Sequence, residues 1–155
     1  MIPEAHLQSA CCELVADVAR AQGMVHLRVA GASMVPALWP GDLVTVRSYE
    51  APELQAGSII VFRQNERLVV HRLMRWEDGC AVARGDAHFC LDRPVPASDV
   101  IGRVESVLRD GRRVTPRLSL WQSMTGAVLR RSPRATRIYM RVVNRARRLR
   151  VAEAA

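Results

Sequence analysis

Hydrophobic residues change their spacing twice along the chain, and the two changes divide it into three segments. Over residues 4–22 they recur at every third or fourth position, which predicts an amphipathic helix that ends at Gly23. From residue 25 they form short runs rich in valine, isoleucine and leucine, which are typical of β-strands. After Pro116 the helical spacing returns. The predicted apolar face of the first helix consists of Leu7, Cys11, Leu14, Val15, Val18 and Ala19.

The middle segment predicts a mostly β fold, either a barrel or a pair of sheets. Turn residues between the runs indicate hairpins at Gln64-Asn65-Glu66 and at Glu77-Asp78-Gly79. The predicted strands are 25–29, 43–47, 58–63, 67–75, 80–84 and 100–109. The predicted domains are an N-terminal helix over 1–24, a β domain over 25–116 and an arginine-rich helical segment over 117–155.

The size and hydropathy of the chain fit one globular domain with a hydrophobic core. The chain has 155 residues, and its mean hydropathy is close to zero. It contains no run of about 18 apolar residues, so we expect no membrane-spanning helix. The first residues lack the basic start and apolar centre of a secretory signal. We therefore expect a cytoplasmic protein, with the inner membrane surface as an alternative location.

The positive charge is concentrated near the C-terminus. The formal net charge is +8, and all 23 basic residues are arginines. For residues 117–150 we consider three interpretations: a solvated helix packed on the domain, a peripheral contact with anionic lipid, and a site for an acidic partner or nucleic acid. Nucleic acid is not favoured, because no nucleic-acid-binding motif accompanies the charge.

The four cysteines are predicted to be free thiols, mostly buried, because no Cys-x-x-Cys pair is present. They are Cys11, Cys12, Cys80 and Cys90. A metal site formed by Cys80, His88 and Cys90 would match no strong zinc spacing. We therefore expect neither a metal nor a cofactor.

Four features of the β region are candidates for chemistry. Each has an ordinary explanation by itself, since serines and aspartates are common in turns and histidines occur in cores. They are the serine of Gly31-Ala32-Ser33-Met34-Val35-Pro36, the Pro40-Gly41-Asp42 turn, the histidine of Leu68-Val69-Val70-His71-Arg72-Leu73, and the aspartates of residues 84–92.

Taken together and in this order, these features resemble those of the signal peptidase I and LexA-like group of serine peptidases (S24/S26 type). The similarity extends to the segment Val100-Ile101-Gly102-Arg103-Val104. It covers about residues 25–109, and it implies a mostly β fold with a serine nucleophile that cuts peptide bonds in precursor proteins.

The resemblance implies that Ser33 is the nucleophile and that His71 is the general base. Most bacterial members have a lysine at the position of His71, but this chain contains no lysine, so a Ser–Lys pair is excluded. The chain is therefore most similar to the Ser–His variety of signal peptidase, found in the endoplasmic reticulum and in archaea, although no transmembrane tether is visible.

The chemistry of histidine agrees with this assignment. An imidazole is largely neutral at pH 7 and can accept the proton of a serine hydroxyl. A carboxylate on its other ring nitrogen would hold the required tautomer. The resemblance offers Asp92 and Asp86 for this position. We favour Asp92 for orienting His71 and regard Asp86 as a turn-former that supports it, although the two roles could be exchanged.

The resemblance also implies a substrate cleft beside Ser33. The backbone N–H of Ser33 is the natural donor to an oxyanion. Some signal peptidases add a serine hydroxyl two residues before the nucleophile, where this chain has Gly31. His88 is an alternative base. The candidate substrate-binding residues, for which packing in the core is the alternative, are Gly31, Met34, Pro36 and Leu38.

The leading functional hypothesis is a serine endopeptidase that cleaves a precursor protein or leader peptide with a Ser-His-Asp mechanism. One alternative is a catalytically inactive module that binds a peptide on the same fold. Another is a peripheral membrane or nucleic-acid-associated protein that acts through its basic C-terminal helices.

Overall fold

A computed structural model describes residues 4–49 and 54–115, and within them one antiparallel sheet carries an N-terminal helix. The strand order is β1-β2-β7-β3-β4-β5-β6, and β8 pairs with β7. This confirms the mostly β fold. The predicted C-terminal helices over 117–155 lie outside the described residues. The elements are α1 (Glu4–Gln22), β1 (Met24–Arg28), β2 (Leu43–Arg47), β3 (Ile59–Gln64), β4 (Arg67–Glu77), β5 (Cys80–Arg84), β6 (Val95–Pro96), β7 (Val100–Arg109) and β8 (Arg112–Val114).

Tight turns join three pairs of neighbouring strands. Asn65 and Glu66 both have positive φ between β3 and β4, which is the geometry of a type I′ hairpin. The Asp78-Gly79 pair has the same geometry between β4 and β5, and Asp110-Gly111 has it between β7 and β8. The two hairpins that the sequence predicts are therefore confirmed.

The sequence prediction misses two short strands. The first, β6, has only two residues, one of which is proline, and it pairs with β5. The second, β8, begins with two arginines and pairs with the end of β7. Neither strand has an alternating apolar pattern, so neither gives the signal on which a strand prediction depends.

Strand β3 is buried on both faces and separates two clusters of the core. Ile59 and Val61 pack into the cluster that also receives the helix, whereas Ile60 and Phe62 pack into a second cluster beneath β4 and β5. Since successive side chains of a strand point to opposite faces, a continuous apolar run is what this position requires.

The face that α1 buries differs from the predicted one. Cys12 and Ala19 are buried and Ala16 packs against the core, but Leu14 remains 62% exposed. These small side chains allow the helix to lie close to the sheet, and the thiol of Cys12 donates to the carbonyl oxygen of Glu66 at 3.3 Å. Among the described residues, no helix is long and apolar enough to cross a membrane.

The cysteines are free, as predicted, but the expectation that most of them are buried is wrong. Cys12 is buried and Cys80 is half-buried, whereas Cys11 and Cys90 are exposed. Cys11 precedes Cys12 on the helix, so its side chain points about 100° away from the buried face. Cys90 lies in the loop between β5 and β6.

A buried carboxylate holds the loop between β1 and β2 onto the sheet. Asp42 is fully buried, and it receives hydrogen bonds from the guanidinium of Arg109 on β7 and, at 2.8 Å, from the backbone N–H of Trp39. Arg109 also donates to the carbonyl oxygen of Ala37, and its guanidinium lies over the ring of Trp39. The Pro40-Gly41-Asp42 turn therefore anchors the segment that carries Ser33.

Replacing Arg109 with glutamine will destabilise the fold, because the buried carboxylate of Asp42 loses its ion pair with Arg109. We expect the free energy of unfolding in urea to fall by about 3 kcal/mol. The matched control is Arg47→Gln, because Arg47 pairs with Glu105 at the exposed surface, where such pairs contribute little. Equal unfolding midpoints for the two variants would contradict the anchoring role.

Candidate active site

Ser33 lies on the loop over residues 29–42. A hydrogen bond joins the two ends of this loop, and several of its side chains pack in the core. Val29 and Asp42 are joined by a backbone hydrogen bond of 2.9 Å. Within the loop, the N–H of Leu38 donates to the carbonyl oxygen of Met34, and both side chains are buried. The apolar residues that follow Ser33 therefore hold the loop down and leave the serine itself only half-buried at the edge of a cleft.

His71 lies in β4 opposite Ile60, where its ring is almost completely buried. The edge of the ring faces Phe62, with centroids 6.1 Å apart. Nδ1 of His71 lies 2.6 Å from Oδ2 of Asp92. Because an ionised carboxylate only accepts hydrogen bonds, Nδ1 is the donor, and Nε2 of the neutral ring carries the lone pair.

The segment from Gly85 to Asp92 is attached to the sheet at two points and to the loop of Ser33 at a third. A buried ion pair joins Arg72 to Asp86 through two hydrogen bonds of 2.8 and 2.7 Å. The backbone N–H of Ala87 donates to the carbonyl oxygen of Ser33 at 2.8 Å. The N–H of Asp92 donates to Ala83 on β5. The structure thus brings Ser33, His71, Asp86 and Asp92 together, with Asp92 on the histidine and Asp86 on Arg72.

His88 is exposed at the rim of the same cleft, and its ring stands almost perpendicular to that of His71. The two centroids are 5.4 Å apart and the interplanar angle is 82°. Desolvation of the imidazole by neighbouring atoms lowers the pKa of His88, and the nearby His71 lowers it further, whereas Asp92 acts in the opposite direction; the net effect favours the neutral ring. Within the described part of the chain, its side chain makes no hydrogen bond.

A cleft of about 510 Å³ opens in front of these residues. Its two long walls are the β1 end of the sheet and the first half of β4. Among residues 4–49 and 54–115, each wall has one strand edge without a partner, because β1 ends the sheet and β5 pairs with β4 only from Arg72 onwards. The lining residues are Leu27, Arg28, Val29, Ala30, Gly31, Ser33, Met34, Leu68, Val69, Val70, His71 and His88.

Two of the four predicted substrate-binding residues lie on this cleft. Gly31 and Met34 line it, although most of the Met34 side chain packs in the core. Leu38 is fully buried in the core and Pro36 is also buried, and neither lines the cleft. For Pro36 and Leu38 the structure favours the alternative of packing in the core, because the turn of the loop directs these side chains inward.

The reacting groups of Ser33 are free in the described part of the chain. Neither its hydroxyl nor its backbone N–H makes a hydrogen bond there, and the hydroxyl is not bonded to His71. Catalytic hydrogen bonds often tighten only when substrate binds. The free N–H is directly available as a donor.

Among residues 4–49 and 54–115, no group of three or more histidine, cysteine, aspartate or glutamate side chains has the arrangement to hold a metal ion. The possible cluster of Cys80, His88 and Cys90 is therefore not formed. His88 faces the cleft beside His71 instead, while Cys80 pairs with Pro96 at the far end of β5.

The comparison with known families agrees with this geometry. The family model described as peptidase S24-like matches residues 4–104, which is more than half of the chain. The chain belongs to the peptidase S24-like family. No curated protein matches it. The S24-like assignment supports a serine peptidase-like fold, and the matched residues include α1 as well as the β elements that carry the site.

Sequence reasoning missed two features of this S24-like site. It assigned no partner to Arg72, although this residue follows His71 directly and holds Asp86. It also missed the role of Gly85, where a side chain would meet Ser33, His71 and His88. The Arg84-Gly85-Asp86 triplet marks the turn in the sequence, but only the folded structure shows which residues surround Gly85.

A matched pair of glycines tests how tightly the site is packed. A methyl group at Gly85 would lie 2.8 Å from the carbonyl oxygen of Ser33 and 3.1 Å from both His71 Nε2 and His88 Nδ1. We expect Gly85→Ala to displace the histidine rings and to shift the ¹⁵N resonances of His71. Gly31→Ala is the control, since its methyl group would meet nothing within 4 Å. Identical histidine spectra for both variants would contradict this packing.

Proposed function

We propose that this S24-like protein is a serine endopeptidase in which Ser33 attacks the substrate, His71 is the general base and Asp92 orients it. The observation that carries the proposal is the 2.6 Å hydrogen bond between His71 Nδ1 and Asp92, which leaves Nε2 as the proton-accepting nitrogen of a histidine that lines the same cleft as Ser33. A serine hydroxyl becomes an effective nucleophile only when a base takes its proton.

In the proposed reaction, Nε2 of His71 takes the proton of the Ser33 hydroxyl as Oγ bonds to the scissile carbonyl carbon. The resulting imidazolium is stabilised by the carboxylate of Asp92. The peptide C–N bond then breaks, and the same proton passes to the leaving amine. A water molecule, deprotonated by His71, hydrolyses the acyl-enzyme and regenerates the serine.

The negative charge that develops on the carbonyl oxygen needs a fixed donor. We assign this role to the backbone N–H of Ser33, which no group in the described residues occupies. Gly31 contributes no side-chain donor, and its exposed position leaves this end of the cleft open to solvent. The proposed oxyanion site therefore depends on main-chain geometry, which the anchored 29–42 loop supplies.

The shape of the cleft favours an extended peptide as substrate. The end of β1 and the loop over 29–31 form one wall, Leu68–His71 form the other, and within the described part of the chain each wall includes a strand edge without a partner. An extended segment between them can form main-chain hydrogen bonds with both walls, and its alternate side chains can enter the apolar parts of the cleft. We infer a precursor protein or leader peptide with an unfolded cleavage site.

The absence of lysine supports a Ser–His mechanism over a Ser–Lys one. A lysine base requires burial to lower its pKa by several units, whereas a neutral imidazole is ready near pH 7. The resemblance to the Ser–His signal peptidases therefore extends to the proposed chemistry. His88 lines the cleft, but no carboxylate among the described residues fixes its tautomer, so we assign the base to His71.

Replacement of Ser33 by alanine will abolish cleavage. Candidate precursors, incubated with the full-length wild type or with Ser33→Ala, are compared by mass spectrometry, and a fluorophosphonate probe reports the reactive hydroxyl independently. We expect cleaved products and a labelled Ser33 only with the wild type. Equal processing by both proteins would remove Ser33 from the mechanism, and a folded wild type that neither cleaves nor labels would favour a peptide-binding module.

The two aspartates are distinguished by their asparagine variants. In Asp92→Asn, the side-chain amide favours the wrong tautomer of His71, and we expect kcat to fall by about 10⁴-fold with little loss of stability. In Asp86→Asn, the buried pair with Arg72 is weakened, so we expect a lower unfolding midpoint, with the tautomer of His71 retained in its ¹⁵N spectrum. If Asp86→Asn alone changed the tautomer, the two roles would be exchanged.

A further inference from the structure

The hydrogen bonding of His71 also resembles that of histidines that bind metal ions. Histidines that bind metals through one ring nitrogen commonly donate the other N–H to a carboxylate, which fixes the ring and raises the basicity of the binding nitrogen. Asp92 accepts from Nδ1 of His71 in this way, so the lone pair on Nε2 is left for another partner. The same geometry that prepares His71 for proton transfer therefore prepares it for a cation.

A second imidazole approaches the same position. His71 Nε2 and His88 Nδ1 each lie 3.1 Å from one point, the place that a methyl group on Gly85 would occupy, and the carbonyl oxygen of Ser33 lies 2.8 Å from it. The ring centroids are 5.4 Å apart. Two imidazoles on one tetrahedral zinc ion, with Zn–N bonds of about 2.0–2.1 Å, have centres roughly 5 Å apart.

The surroundings leave His88 available for such a role. It forms no side-chain hydrogen bond in the described part of the chain, and it belongs to the cleft and not to the core. Because residue 85 is a glycine, no side chain stands at the point that both ring nitrogens approach, and a metal bound to both would lie on the side of that point away from the Gly85 backbone. The carbonyl oxygen of Ser33, which accepts a hydrogen bond from the N–H of Ala87, borders the same point.

We propose that His71 and His88 together form a binding site for a divalent transition metal of the zinc type, which blocks the cleft when it binds. The site has two protein nitrogens, and water or Ser33 oxygen completes the coordination. It is open, unlike a structural zinc site, which takes four protein ligands. Binding is therefore reversible and depends on the free metal concentration.

The consequence for catalysis rests on the proposed function. A metal on Nε2 occupies the lone pair that would accept the proton of Ser33, so the metal-bound enzyme has no general base. Substrate and metal also compete for the same part of the cleft. We therefore infer that zinc inhibits cleavage and that an excess of chelator restores it.

Calorimetric titration of the full-length protein with zinc chloride tests the site without requiring a substrate. We expect His88→Gln and His71→Gln each to weaken zinc binding by more than tenfold. Asp92→Asn, which removes the carboxylate behind His71, should weaken it by roughly 10–100-fold. Since His88 is exposed, its replacement will not unfold the protein. In ¹H–¹⁵N spectra, zinc should shift the ring signals of His71 and His88.

Matched controls separate this site from other zinc ligands of the chain. His26 is an exposed histidine on β1, bonded to Thr45 on another face, so His26→Gln should leave zinc affinity unchanged. Cys11→Ser and Cys90→Ser should also leave it unchanged. Zinc affinity that survives both His71→Gln and His88→Gln, or that is lost in a cysteine variant, would overturn the proposal, as would the absence of binding to the wild type.

A separate experiment measures the inhibition of peptide cleavage by zinc. If the protein cleaves a precursor, zinc should inhibit the wild type at concentrations at least tenfold lower than those needed for His88→Gln. Zinc binding to both histidines without any cleavage to inhibit would support the metal site while refuting the proposed peptidase. Cleavage that zinc-saturated wild type still carries out would refute the inhibitory role and leave the peptidase standing.

Discussion

The buried ion pair between Arg72 and Asp86 fixes the parts of the candidate site relative to one another. Arg72 follows His71 in β4, and Asp86 begins the segment that ends at Asp92. Both side chains are almost completely buried, and the guanidinium donates a third hydrogen bond to the carbonyl oxygen of Gly57. A buried charge without a partner is very costly, so the loop cannot leave the sheet without a large penalty. The histidine and the carboxylate that orients it are therefore held as one unit.

Ser33 joins this unit through the backbone. The hydrogen bond from Ala87 to its carbonyl oxygen ties the loop of the nucleophile to the loop of Asp92. From the other side, Asp42 and Arg109 hold the same serine loop onto β7. The site consists of two loops and one strand, and each loop is anchored by a buried pair of arginine and aspartate. A chain without lysine uses arginine for both, and the planar guanidinium suits such two-point contacts with a carboxylate.

The sequence predicts most of the fold, because the local signals are strong. Gly23 ends the helix, and the Asn-Glu and Asp-Gly turns have the backbone conformations that join β3 to β4 and β4 to β5. The order of Ser33, His71, Asp86 and Asp92 is enough to propose a site. Contacts between distant residues are not predictable in this way. Arg109 and Asp42 are 67 residues apart, and the buried face of α1 depends on which small residues fit the sheet. The position of His88 beside His71 depends on a glycine whose neighbours only the folded chain reveals.

The strand edges beside the cleft, which have no partner in the described part of the chain, have a consequence for how the proposed enzyme would select its cleavage site. Recognition through main-chain hydrogen bonds depends on the backbone conformation of the substrate more than on the identity of its side chains. A helix or a folded domain cannot offer the extended backbone that these edges require. Under the proposed function, a precursor would be cut where it is still unfolded, and the same precursor would become resistant once that segment folds. Selectivity would then depend as much on when the substrate meets the enzyme as on the residues around the cleaved bond.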